Sequence, residues 1–295
     1  MGDYSISACS TADLSKEQFE SKGIEYVCFH FNIDGETYPD DLGQSIAFHD
    51  FYERMRNGAD TSTSQVNPEQ YIEFFTPFLK EGKDIIHVTL SSGISGTYNS
   101  AMIAKAELED EFPDRKIYVI DSLCASVGYG MLMDEMVDKR AAGVSIDDLA
   151  EWVEANKLKS NHWIMVSDLK WLVKGGRVSK VSGALGSMLN ICPLIYVNNE
   201  GKLIPKEKVR TKKKAMARLV ELMAEEADNG VNYDGKCYIA NSDCMEDAQI
   251  LKSMIEEKFV NLKGKVVINS IGTVIGSHTG PGTLVPVFWG KERTE

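Results

Sequence analysis

Residues 91 to 101 read Ser-Ser-Gly-Ile-Ser-Gly-Thr-Tyr-Asn-Ser-Ala, directly after the apolar, β-branched run Asp84–Leu90. Such a run predicts a buried parallel strand, and the residues after it open a helix. Ligands of α/β sheets sit at the carboxyl ends of strands, and a helix start offers unpaired N–H groups and a partial positive charge to an anion. Ser91, Ser92, Ser95 and Thr97 add hydroxyls at that point. A plain serine-capped helix has the same look. A second hydroxyl-rich stretch, Thr61-Ser62-Thr63-Ser64-Gln65, reads as a loop before a helix that starts at Asn67-Pro68.

Two glycine-flanked residues complete the candidates. In Lys174-Gly175-Gly176-Arg177 the glycines allow a sharp turn and place an arginine just beyond it. The guanidinium is a planar fork suited to carboxylate or phosphate. Between Ile271 and Gly282 four glycines surround His278. Glycines permit close backbone approach to a ligand, and histidine changes charge near neutrality.

Several other chemistries are excluded. Gly93-Ile94-Ser95-Gly96-Thr97 lacks the spacing of a nucleophile elbow. Gly230 to Cys237 has phosphate-loop spacing but ends in cysteine and precedes a strand instead of following one. Gly280-Pro281-Gly282 has no third glycine, so it is no dinucleotide fingerprint. Six scattered cysteines, without a CxxC pair, suit neither a disulfide framework nor zinc. The expectation is no metal and no cofactor.

The elements that must position these residues follow from periodicity. Strands are expected at Tyr4–Ser7, Ile24–Phe31, Asp84–Leu90 and Ile117–Asp121. Helices are expected near 15–21, 48–56, 68–80, 95–109, 127–140 and 146–157, with Pro77 ending or kinking the third. The second half starts with a strand at His162–Val166 and a helical turn stopped by Gly175-Gly176. A hairpin follows about Asn198-Asn199-Glu200-Gly201. Strands at 236–240, 265–269 and 284–289 and helices at 212–227 and 246–259 complete the reading. The fold class is α/β in two domains: a three-layer α/β/α domain with a mainly parallel sheet over 1–160, and a mixed-sheet α/β domain over 161–295, with the ligand at their interface. No Pro/Gly/Ser-rich linker marks the boundary.

With 32 basic and 44 acidic residues the net charge is −12, which argues against a nucleic-acid binder. No apolar run is long enough to span a bilayer, and no signal peptide is read, so a cytoplasmic protein with at most transient membrane contact is expected. Within this acidic chain, residues 202–218 hold eight basic residues against one acid, Glu207. Alternation sets Lys206, Lys208 and Arg210 on one strand face, either a solvated surface or a docking site for an acidic partner.

In order and spacing, Ser10-Thr11-Ala12-Asp13-Leu14, Thr63-Ser64-Gln65, Ser91 to Ala101, Asp121-Ser122, Gly175-Gly176-Arg177 and His278-Thr279-Gly280-Pro281-Gly282 resemble the DegV family of bacterial fatty-acid-binding proteins. The resemblance spans almost the whole chain. Cys9 stands where the family usually has Asp, and Val66 replaces a common Pro.

The resemblance implies a long-chain fatty acid held between two domains. Its carboxylate would meet Thr63, Ser64, Ser95 and His278, with Ser92, Gly96, Thr97, Arg177 and Gly280 nearby. Val178, Leu185, Met188, Leu189, Ile191, Val274 and Ile275 are candidates for the acyl tunnel. It further implies a non-catalytic subunit that presents the carboxylate to a separate fatty acid kinase for acyl-phosphate formation, feeding phospholipid synthesis. Lys206, Lys208 and Arg210 are candidates for docking that kinase. The competing expectation is an enzyme or phosphocarrier that uses His278 on a small substrate.

Overall fold

The computed structural model describes residues 4–179 and 190–295. Its strands are β1 (Tyr4–Cys9), β2 (Ile24–Val27), β3 (His30–Ile33), β4 (Glu36–Pro39), β5 (Thr61–Ser64), β6 (Asp84–Thr89), β7 (Ile117–Asp121), β8 (Ser160–Met165), β9 (Ile191–Val197), β10 (Leu203–Arg210), β11 (Cys237–Asn241), β12 (Val267–Ser270) and β13 (Leu284–Trp289). The helices are α1 (Lys16–Lys22), α2 (Phe48–Arg56), α3 (Pro68–Lys80), α4 (Thr97–Glu111), α5 (Val127–Ala141), α6 (Ile146–Asn156), α7 (Lys170–Lys174), α8 (Lys212–Glu226), α9 (Met245–Lys258) and α10 (Thr273–Thr279).

Three sheets result. The first, in order β2-β1-β6-β7, is parallel throughout. The second, β10-β9-β8-β13-β11-β12, is mixed, with only the β11–β12 pair parallel. The third, β4-β3-β5, is a small antiparallel sheet. The chain is thus an α/β protein with a parallel sheet and a mixed sheet.

Local chemistry sets the helix starts. Asn67 and Gln70 form a reciprocal capping box, with bonds of 2.8 and 3.0 Å, and Pro68 occupies the first turn. The helix then buries Tyr71, Phe75 and Leu79, one stripe at four-residue spacing. Pro77 does not stop it. The proline sits in the last turn, and its missing N–H costs a single intrahelical bond there.

Three expectations are corrected. Ile24–Phe31 is two strands in different sheets, β2 and β3, broken at Cys28-Phe29. Residues 61–64 are not a loop but β5, paired to β3 with Phe31 opposite Thr63. The glycine-rich segment after Ile271 contains a helix, α10.

No side chain of its own caps α10. Asp13 Oδ1 accepts the Gly272 N–H at 2.9 Å, and Asp40 Oδ1 accepts the Thr273 N–H at 3.2 Å and its hydroxyl at 2.6 Å. The other Asp40 oxygen takes the Ser10 hydroxyl at 2.8 Å, and the other Asp13 oxygen takes that of Ser126. Burial pushes both carboxyls above the ordinary aspartate range, with mutual repulsion adding to the shift of Asp13.

Apolar packing falls into two clusters. One joins the parallel sheet, the small sheet and the inner face of the mixed sheet. The other lies between the outer face of the mixed sheet and helices α8 and α9. Alternation along β8 divides them: Ile164 faces inward, whereas Trp163 and Met165 face outward. Among the described residues, no helix is long and apolar enough to cross a membrane.

Candidate functional site

On the inner face of the mixed sheet lies a cavity of about 330 Å³. That volume is in the range of small-ligand sites. Thr63, Ser64, Ser95, Arg177 and His278 contribute polar groups to it, from four separate segments. Phe29, Leu90, Ile164, Leu203, Val274 and Val285 are among its apolar walls. Two clefts of about 590 and 510 Å³ elsewhere are larger, but charged side chains such as Lys139, Lys236, Asp13 and Lys16 line them.

Thr63 and His278 meet across 215 residues of sequence, with Oγ1 2.8 Å from Nε2. The pairing depends on β5 presenting Thr63 toward α10, and on His278 falling in the last turn of that helix. His278 Nδ1 is buried and has no partner among the described residues. Gly175 packs against this side of the ring, and a Cβ there would lie 2.9 Å from Cε1 and closer to Nδ1. Burial, helped by the positive charge of Arg177, lowers the imidazole pKa to about 4. The ring is therefore neutral at pH 7.

Arg177 bridges the site. Its Nε donates to Ile94 O at 3.1 Å and its Nη1 to Gly175 O at 2.5 Å. It is half-buried, and desolvation lowers its pKa from the usual arginine value. Ser95 stands one residue before the Gly96 cap of α4. Its Oγ accepts the Thr97 N–H at 3.2 Å, which leaves the hydroxyl proton free to donate. Gly96 is small because the Gln65 amide sits where its Cβ would be, at 2.7 Å.

Of the other expected residues, Ser92, Gly96, Thr97 and Gly280 are not among the cavity walls. Thr97 is buried under α4 and pairs with the Tyr71 hydroxyl at 2.7 Å. The Ser92 amide donates to Asp121 at 3.1 Å. Gly280, at φ +75°, packs on Trp171 and accepts the Ser242 hydroxyl at 2.7 Å. Val274 and Ile275 line the cavity, while Val178 is buried beside α7 and Ile191 begins β9 opposite Arg210. Leu185, Met188 and Leu189 lie outside the described residues. Cys9 belongs to a buried polar cluster behind the site, 3.2 Å from Tyr71 Oη and 3.7 Å from His87 Nε2, and burial raises its thiol to about 11.

Lys206, Lys208 and Arg210 are all exposed, and Glu207 and Val209 alternate with them toward α8. Much of the surrounding charge is spoken for: Arg218 pairs with Glu207, Glu221 and Glu225, and Lys212 with Asp247. Among the described residues Lys208 and Arg210 form no ion pair.

Sequence reasoning missed Gln65, Leu90, His162, Ile164, Leu203 and Val285 as cavity walls. The period-2 pattern of β8 carried a signal for His162 and Ile164, since both fall on one face.

A largely apolar chamber with hydroxyls, an imidazole and a guanidinium on its walls, beside a parallel and a mixed sheet, defines a class of α/β protein with an internal space of ligand size. The profile described as "Uncharacterised protein, DegV family" matches residues 5–290, and the chain belongs to the DegV family. It is 38% identical over 293 residues to a DegV domain-containing protein of Clostridium perfringens, covering 99% of each. A DegV lipid-binding protein of Thermotoga maritima superposes with a TM-score of 0.83 at 28% identity, covering 99% of this chain and 100% of that one. A stearic acid-binding protein of Eubacterium ventriosum gives a TM-score of 0.84 at 27% identity, covering 97% and 98%.

Proposed function

We propose that this protein binds one long-chain fatty acid, with its tail in the apolar cavity and its carboxylate at Thr63, Ser64, Ser95, His278 and Arg177. The observation that carries the reading is the Thr63–His278 pair at the polar side of an apolar chamber. With Nε2–H donating to Thr63 Oγ1, the threonine proton is free for an anion, as is that of Ser95. Arg177 supplies the positive charge that a buried carboxylate requires. Each buried CH₂ contributes roughly 0.8 kcal/mol, so the tail supplies most of the affinity.

The bound acid is presented to a separate kinase in the cytoplasm, where ATP is available. A carboxylate oxygen attacks the γ-phosphorus, ADP leaves, and an acyl phosphate forms on the carrier. The exposed Lys206, Lys208 and Arg210 are the docking face for that kinase. The chain divides functionally near residue 160, and the ligand bridges the two parts.

The competing phosphocarrier reading needs a histidine nitrogen open to a phosphoryl donor. Here Nε2 is engaged by Thr63 and Nδ1 faces Gly175. Native mass spectrometry of purified protein, followed by lipid extraction, tests the proposal. One fatty acid per chain is expected. A delipidated protein that neither carries nor rebinds long-chain fatty acid overturns it.

A further inference from the structure

One polar side chain of the cavity wall stands outside the carboxylate set. His162 is 1% exposed and lines the same chamber. Its Nδ1 lies 3.2 Å from Ser160 O, a carbonyl that can only accept, so Nδ1 carries the proton. Nε2 is then a bare lone pair, and it is buried without a partner. Buried acceptors of this kind are nearly always satisfied in native proteins, so an unpaired one asks for an occupant.

Its position says which part of a ligand would meet it. His162 lies on β8 opposite Val287, two residues before Ile164. At strand spacing that is about 6.6 Å further from the carboxyl end of β8, beyond which α7 and Gly175 frame the head-group residues. The chamber it lines also has Ala125, Ser126, Ile164, Leu203 and Val285 in its walls. The ring is also held in place: a Cβ on Gly128 would lie 3.1 Å from it, so the backbone of α5 presses on its face. A fixed acceptor on the cavity wall, carried by β8 and not by the segments of the carboxylate set, discriminates between ligands. A pure hydrocarbon leaves it unpaired, while a chain with one donor at the right depth completes it. Burial, and after it the positive charge of Arg293, lowers the basicity of the imidazole, and that charge disfavours a cationic donor. The donor is therefore neutral.

We propose that His162 makes this site selective for fatty acids bearing a hydroxyl in the buried part of the chain, the O–H donating to Nε2. The proposal rests on the fatty-acid reading above and deepens it.

The test is displacement of a fluorescent fatty acid from the full-length delipidated protein by stearic acid and by a series of hydroxystearic acids with the hydroxyl moved along the chain. One positional isomer is expected to bind about tenfold tighter than stearic acid, the worth of one buried hydrogen bond. His162→Leu should abolish that preference, so that no isomer outbinds stearic acid in the same variant, while His162→Gln, whose amide oxygen accepts, keeps part of it. The inference is overturned if no isomer outbinds stearic acid in the wild-type protein, or if the preference survives His162→Leu. A wild-type protein that binds none of the series overturns the fatty-acid reading itself and this inference with it. Should the leucine variant fail to fold, the wild-type series and the glutamine variant still decide.

Discussion

Replacing Gly175 by alanine is the sharpest probe of the proposed head-group site. Gly175 has φ −73° and ψ −8°, a conformation alanine adopts freely, so the backbone is not strained. The added Cβ, however, would lie 2.9 Å from His278 Cε1 and closer to Nδ1, where ordinary contact begins at 3.4 Å. The ring must yield by at least 0.5 Å at Cε1. It cannot simply translate, because Thr63 Oγ1 is already 2.8 Å from Nε2 on another edge. It has to rotate, and the Thr63 hydrogen bond goes with it. Overpacking of this kind costs about 1–3 kcal/mol of stability. Disturbing one hydrogen bond to a charged group costs roughly 1.5–3 kcal/mol of binding, or about 10- to 150-fold in fatty-acid affinity. The neighbouring Gly176→Ala is the control: φ is +73° there, and nothing lies within 4 Å of the Cβ position. It should lose about 1 kcal/mol of stability to backbone strain while leaving affinity alone. Both variants are measured by competition with a fluorescent fatty acid and by urea unfolding. Gly175→Ala binding within twofold of wild type, or Gly176→Ala losing as much affinity, would refute the reasoning.

Ser95→Ala should lower fatty-acid affinity by at least about tenfold and lose about 1 kcal/mol of stability with the hydrogen bond from Thr97 N; unchanged affinity removes Ser95 from the site. His278 and His87 have folded pKa values of about 4 and about 3, below the unfolded 6.5. The stability they contribute is complete above pH 6.5 and is lost as pH falls, roughly 3 kcal/mol for His278 by pH 4. In an NMR titration both rings should stay neutral from pH 7 to 5, while His49, raised by Asp243, protonates earlier on the way down; half-protonation of either buried ring near 6.5 contradicts this. Arg210→Ala should leave fatty-acid affinity unchanged yet slow phosphorylation by the partner kinase, more at low salt than at high. Kinase coupling at the wild-type rate would return the segment to a solvated face.

The sequence was most legible where local chemistry decides structure. The run Asp84–Leu90 announces β6, the Asn67–Gln70 box announces α3, and Asn198 to Gly201 announces the hairpin of β9 and β10. It was least legible where distant groups decide. Thr61–Ser64 has no apolar alternation, and only pairing with β3 makes it a strand. Helix α10 has glycine at its cap and depends on carboxylates at positions 13 and 40. Family resemblance pointed to Thr63, Ser95 and His278, but the spacing of hydroxyls and glycines could not reveal that Thr63 and His278 bond to each other. Alternation indicates that His162 and Ile164 share a face; it cannot say that the face encloses a chamber.

The bond from Gly272 to Asp13 joins residues 259 positions apart, and the Asn269 side chain also donates to Asp13 O at 2.9 Å. This ties the timetable of synthesis to that of function. A chain still growing on the ribosome exposes Asp13, Asp40 and Thr63 well before α10 with His278 emerges. Until it does, the side chains of Asp13 and Asp40, destined for burial, have no donors from Gly272 and Thr273, and burying them is unfavourable. On the proposed function, ligand capture waits for α10, and a chain truncated before Gly272 lacks both His278 and the donors that make its buried acids tolerable.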